Sequence, residues 1–265
     1  QFCNDRDYKF SYEFDNSSKE FSVHEAKEFI KTLNIPDKFE DREYQNEALA
    51  YCVRNSRCLF VSPTASGKSK MIYHLIRYYK VPTLIIVPRV ALIQQMLSDF
   101  STYGMDISSI HAISSNVEKY TNSEIVITTW QSIYKMPEDW FSRFRLGIGD
   151  EAHNFKATSL ISIMTKLKNC PYRFGFTGSL DGDKVNKITL EGLFGPYKKI
   201  VTTNELIESG HIADLKLKII VLQYSDDIKK QLKKSEYSKE RDWIVSNESR
   251  NKFIKNLTLS LKGNT

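Results

Sequence analysis

Two kinds of apolar pattern alternate along this chain, and their alternation predicts the fold. Short, nearly continuous apolar runs recur as "RCLFVS" (57–62), "TLIIVP" (83–88), "SEIVITT" (123–129), "RLGIGDE" (145–151) and "YRFGFTGS" (172–179). Runs of this length and β-branched content read as strands buried on both faces. Stretches with helical spacing lie between them. "SKMIYHLIRYYK" carries Met71, Ile72, Leu75, Ile76 and Tyr79, and "RVALIQQMLSDFSTYG" reads as a helix ending at Gly104. "SLISIMTKLKN" (159–169) is helical, and "TTNELIESG" (202–210) is a short helix with Gly210 just past its end. This pattern predicts an α/β domain with a mostly parallel sheet and helices on both faces.

The flanks read differently. Residues 1–16 are aromatic, charged and roughly alternating, which suggests one strand. A helix within 22–36 has Ser22 as its cap and Pro36 beyond its end, and a second helix covers 43–54. "DLKLKIIVLQY" (214–224) alternates and then turns apolar. From Asp226 to Asn264 the chain reads as charge-rich helix, with "KKQLKKSEYSKER" a solvated stretch.

Composition narrows the classes. The chain has 265 residues and is 41% hydrophobic, enough for one large domain with additional elements. A net charge of +6 is compatible with a polyanionic partner but does not demand one. Cys3, Cys52, Cys58 and Cys170 form no C-x-x-C pair and have no histidine cluster beside them, so free thiols in a reducing cytoplasm are expected. No run approaches the ~18 apolar residues of a membrane span. The longest candidate, 81–96, is broken by Pro82, Pro88 and Arg89.

The chemistry starts at "SPTASGKS" (62–69). A phosphate-binding loop follows G-x-x-x-x-G-K-[ST], and here Ser62 stands in the first glycine's place. A strand precedes and a helix follows, the context in which backbone N–H groups at a helix N-terminus can meet an anion. Gly67 would allow close approach of the backbone, Lys68 would reach the β/γ-phosphates, and Ser69 would bind Mg²⁺. The alternative is a helix-capping turn with a solvated lysine. "DEAH" (150–153) sits at the end of an apolar strand about 80 residues on. ATP hydrolysis needs one acid for Mg²⁺ and another group to orient the attacking water. Asp150 and Glu151 suit those roles; an acidic helix cap is the alternative.

"SPTASGKS", "DEAH" and "FTGS" (176–179), in that order, resemble motifs I, II and III of the superfamily 2 helicases and translocases. "REYQ" (42–45), "PRVALIQQ" (88–95) and "ITTWQS" (127–132) are similar to further segments of that family. The likeness covers 41–224 and extends through "LFGP" (193–196) and "ELIESGHIADLKL" (205–217), as in its fork- and junction-remodelling branch. The resemblance implies a RecA-like P-loop domain over 41–224. It makes 1–40 the remnant of an N-terminal domain with a connecting helix, and 225–265 a helical connection. It implies ATP and Mg²⁺ as cofactors, held by Arg42, Gln45, Thr64, Ser66, Gly67, Lys68, Ser69, Asp150 and His153, with Glu151 as the catalytic carboxylate. Gln45 would read the adenine edge, with Arg42 or an aromatic near the ring face.

In the family, Thr177, Gly178 and Ser179 would couple the nucleotide to the nucleic acid. Arg89, Thr128, Thr129, Trp130 and Gln131 would contact a DNA strand, single-stranded, branched or paired with RNA. Trp130 is equally a core tryptophan. The expected protein is a monomeric DNA helicase or branch-migration motor away from membranes. Open alternatives are an RNA helicase, a restriction-enzyme translocase subunit and a P-loop small-molecule kinase. The chain contains no Q-x-x-G-R-x-x-R, the segment that carries the second motor domain's arginine in this family. It also starts at Gln1 and stops just after a helix. It therefore reads as a fragment: the first half of such a motor.

Overall fold

The computed structural model describes residues 20–39, 41–114, 117–154, 157–178, 184–213, 219–233 and 235–261. The strand expected in 1–16, and Cys3 and Ser179, lie outside these. The chain forms two compact units, 1–213 and 214–265.

The first unit carries a seven-stranded sheet. Its strands are β1 (Arg57–Val61), β2 (Thr83–Val87), β3 (Ile110–Ile113), β4 (Ile125–Thr129), β5 (Leu146–Gly149), β6 (Tyr172–Thr177) and β7 (Tyr197–Lys199). Their spatial order is β3-β4-β2-β5-β6-β1-β7, and every pairing is parallel. Because all strands point one way, their carboxyl ends form one edge. The chain following β1, β2, β4, β5 and β6 therefore gathers there.

Alternation along each strand divides two cores between the faces. Phe60, Ile85, Val87, Ile148, Phe174 and Phe176 join one core. It is covered by α1 (Val23–Lys31), α2 (Glu43–Asn55), α3 (Lys68–Tyr79) and α4 (Val90–Thr102). Leu59, Leu84, Ile86 and Val126 join the other. That face is covered by α5 (Trp130–Ile133), α6 (Glu138–Phe141), α7 (Ala157–Lys166) and α8 (Lys184–Phe194). Gly175 on β6 shows why a central strand there carries no side chain: a Cβ would lie 2.7 Å from Leu59 Cδ1 and 2.9 Å from Phe194 Cγ. The space is already filled by α8.

Ser22 caps α1 in a capping box with Glu25, as its position predicts. A short helix, α9 (Thr203–Glu208), is capped in the same way by Thr202 and Glu205, with Gly210 at φ 72° after it. The second unit contains α10 (Asp226–Lys233), α11 (Tyr237–Ser246) and α12 (Glu248–Ser260). None buries a residue, and Lys229, Lys230, Lys233, Lys239 and Arg241 are exposed. Residues 219–225 have no regular structure.

Candidate functional site

The loop after β1 is built by hydrogen bonds that the sequence pattern does not display. Ser62 N–H donates to Thr177 O at 2.8 Å, which anchors the loop to the end of β6. Ser66 N–H closes the turn on Pro63 O at 3.3 Å. Ala65 and Gly67 both have positive φ, 66° and 77°, and so curl the loop into α3. At Gly67 only glycine fits comfortably, because a Cβ would collide with Gln45 Nε2.

Ser62 is more than a substitute for glycine. Its hydroxyl lies 2.5 Å from Ser66 Oγ, and both residues are fully buried. The pair braces the loop across its mouth. The Ser66 side chain, expected at the nucleotide, instead faces inward for this reason.

Three residues of the "REYQ" stretch hold the loop's carbonyls. Arg42 Nη1 donates to Ala65 O at 2.7 Å. Tyr44 Oη and Gln45 Nε2 donate to Ser66 O at 2.9 and 3.1 Å. The planar trans peptide sets the Gly67 N–H opposite that doubly bonded carbonyl. The first helical bond of α3 runs from Met71 N to Gly67 O, so the amides before it have no helical partner. Gln45 is only 2% exposed. Its amide is spent on the loop, so it acts on the site from behind.

Lys68, Ser69, Asp150 and Glu151 line one cleft of about 310 Å³ together with Thr64, Gly67 and a face of α4. Thr64 is exposed at its rim. Lys68 Nζ is 2.8 Å from Glu151 Oε1. The other Glu151 oxygen accepts from Gly178 N–H at 3.4 Å and lies 3.5 Å from His153 Nδ1. His153 Nδ1 is 2.6 Å from Thr177 Oγ1, so the end of β6 is tied to the turn after β5. Glu151 has φ 49°, a left-handed conformation that is unfavourable for a side chain this size and is often found at working sites.

Asp150 is 8% exposed, and Oδ1 has no hydrogen-bond partner among the described residues. Burial, and then the neighbouring Glu151, push its carboxyl up to about 6, against the pull of Lys68. A buried carboxylate oxygen without a donor is suited to a cation. Among the described residues no group of three His, Cys, Asp or Glu side chains could cage one. Mg²⁺ is usually held by one or two protein ligands together with substrate phosphates, and Ser69 and Asp150 both line this cleft.

The strand-contact candidates fall into two sets. Arg89, the N-cap of α4, and Gln131 are exposed, and Trp130 is half-buried against Tyr134 with ring centroids 6.1 Å apart. Gln131 Nε2 donates to Pro88 O at 3.5 Å, which joins the ends of β2 and β4. Thr128 is fully buried and Thr129 is 4% exposed. Thr128 Oγ1 donates to Thr129 O at 3.2 Å, and Thr129 Oγ1 is 3.0 Å from Ser132 Oγ. Their side chains are therefore not surface contacts: β4 is an inner strand and its end is covered by α5. Arg89 also lines a second, wider cleft of about 820 Å³ with Pro63, Glu151, His153 and Gly178.

Comparison with known proteins gives consistent relatives. The family model described as "Type III restriction enzyme, res subunit" matches residues 38–181. The chain is 35% identical to the "ATP-dependent DNA helicase uvsW" of Enterobacteria phage T4, over 98% of this chain and 55% of that protein. It is 31% identical to the "DNA 3'-5' translocase XPB2" of Sulfurisphaera tokodaii, over 80% of this chain and 47% of that one. The chain thus spans about half the length of the curated relatives it matches. A crystal structure of the phage T4 UvsW helicase superposes with a TM-score of 0.68 at 34% identity, covering 75% of each chain. The Pyrococcus furiosus Hef helicase domain shares the fold, with a TM-score of 0.54 at 19% identity, covering 62% of this chain and 39% of that one.

Proposed function

This chain belongs to the Type III restriction enzyme, res subunit family, and we propose that it carries the ATP-binding motor domain of a superfamily 2 DNA helicase or translocase. The observation that carries this reading is the convergence of Lys68, Ser69, Asp150 and Glu151 on one cleft at the carboxyl edge of a parallel sheet. Ligands bind at that edge in open α/β sheets. A relative named as an ATP-dependent DNA helicase and another named as a DNA translocase support the substrate class. In domain terms, we read the motor domain as 41–224, flanked by 1–40 and by a helical segment over 225–265.

The geometry supports the following roles. Lys68 exchanges Glu151 for phosphate oxygens, while the Gly67 amide and the first turn of α3 cradle them. Ser69 Oγ and Asp150 Oδ1 would hold Mg²⁺, which neutralises charge on the phosphates when bound. Glu151, released from Lys68, accepts the proton of the attacking water. His153 and Thr177 carry the change at Glu151 to β6, and Gly178 with it. Arg42, braced on Ala65 O, stands beside the nucleotide base. Arg89, Trp130 and Gln131 meet the sugar-phosphate backbone of one DNA strand, contacts that position the protein without reading sequence. The likeness of "LFGP" and "ELIESGHIADLKL" to the family's fork- and junction-remodelling branch supports a reading of the activity as branch migration and fork or R-loop remodelling in recombination, replication and repair.

The test is ATP turnover by the protein with branched DNA, single-stranded DNA and RNA. Greatest stimulation by branched DNA supports the reading. Stimulation by RNA alone transfers it to an RNA helicase, and turnover indifferent to all three removes the nucleic-acid role.

A further inference from the structure

Tyr103 is a buried phenol that none of the motifs includes. It is 7% exposed, and its ring meets Phe39 and Tyr73 edge-on, with centroids 5.1 and 5.5 Å away. Its hydroxyl lies 3.1 Å from Ser69 Oγ. Ser69 Oγ has no other hydrogen-bond partner among the described residues. Tyr103 is the C-cap of α4, the helix that presents Leu92, Gln95, Met96 and Asp99 to the nucleotide cleft. It follows Asp99 by four residues and continues that face.

We propose that Tyr103 is a positioning residue whose phenol oxygen accepts a hydrogen bond from the Ser69 hydroxyl and so turns the serine lone pairs towards the cation. The proposal rests on the reading of Ser69 as a Mg²⁺ ligand. A hydroxyl that ligates a cation must offer it an oxygen lone pair, so its hydrogen needs an acceptor elsewhere. A serine hydroxyl on a helix N-terminus otherwise rotates freely among its rotamers. Outer partners that fix a ligand's orientation contribute about 10- to 100-fold to metal affinity at other sites. A phenol oxygen is both donor and acceptor, so it can serve as that acceptor.

The experiment is calorimetric titration of this chain with ATP, in Mg²⁺ and in EDTA, for wild type, Tyr103→Phe, Ser69→Ala, the double variant and Lys68→Ala. The phenylalanine keeps the ring contacts, so thermal melting should match wild type. Tyr103→Phe should bind ATP normally in EDTA and about three- to tenfold more weakly in Mg²⁺, the size of one lost hydrogen bond. In the Ser69→Ala background it should add nothing. Equal loss with and without Mg²⁺, no loss at all, or a loss that persists beside Ser69→Ala overturns the proposal. If Lys68→Ala binds ATP like wild type, the nucleotide-site reading fails, and this proposal with it. A weakened Lys68→Ala beside an unaffected Tyr103→Phe rejects Tyr103 alone.

Discussion

Lys68 Nζ and Glu151 Oε1 are 2.8 Å apart, so the cation assigned to phosphate and the carboxylate assigned to water are each other's partner. The pair is one-quarter exposed or less on either side, where a charge left alone is costly. Glu151→Gln keeps a hydrogen-bonding side chain but removes the base. It should bind ATP at least as tightly as wild type, because Lys68 is no longer neutralised. Hydrolysis should fall by about 10²–10⁴, read as phosphate release in the presence of DNA. Wild-type turnover would remove Glu151 from the role of base.

The Ser62–Ser66 bridge predicts a non-additive pair. Ser62→Ala leaves Ser66 Oγ buried without its partner, which costs about 1–3 kcal/mol. Removing both hydroxyls should recover much of that loss, because no polar atom is stranded. Urea denaturation of the two single variants and the double variant measures the coupling. Strict additivity would show that the hydroxyls act independently.

Gly67→Ala should be tolerated by the fold and not by the site. A left-handed alanine costs about 1–2 kcal/mol, and its Cβ would displace Gln45 Nε2 from the loop. We expect a small loss of melting temperature and loss of ATP binding by titration. An unaffected affinity would mean that the loop amides do not hold the nucleotide.

His74 makes a prediction about stability alone. It is fully buried on α3, both ring nitrogens lack partners among the described residues, and burial lowers its pKa to about 3, helped by Lys70. A histidine whose folded pKa is depressed stabilises the fold at pH values above its unfolded pKa, and that stability is lost as pH falls towards the folded value. The window here is pH 6.5 down to about 3. Wild type should lose ~2 kcal/mol between pH 6.5 and 5, at 1.36 kcal/mol per unit, and His74→Leu should lack that component. Parallel pH slopes in denaturant titrations of the two proteins would contradict this.

The inner strands and the carboxyl-edge site were legible because each leaves a local signature. β1, β2, β4, β5 and β6 are continuous apolar runs, and Gly67, Lys68, Ser69, Asp150 and Glu151 sit at their ends. What escaped has no local signal. β3 and β7 are the edge strands, and the polar His111 in one and Lys198 and Lys199 in the other leave them without a continuous apolar run. α8 carries Val185, Ile188, Leu190, Leu193 and Phe194 but is absent from the sequence reading, and the long helix expected after Asp226 is divided among α10, α11 and α12. Tyr44, Ser62 and Tyr103 act through contacts made only by folding; Tyr103 meets Ser69 across 34 residues of chain. Thr128 and Thr129 look like surface hydroxyls in sequence, and only the covering of the β4 end by α5 shows otherwise.

The most direct test of the central claim is the location of bound nucleotide: a crystal structure of this chain with Mg²⁺ and a non-hydrolysable ATP analogue. The account predicts the phosphates against the Gly67 amide and Lys68, the cation between Ser69 Oγ and Asp150 Oδ1, and the Lys68–Glu151 pair opened. Phosphates bound away from the Gly67 amide, with Lys68 still on Glu151, would contradict it.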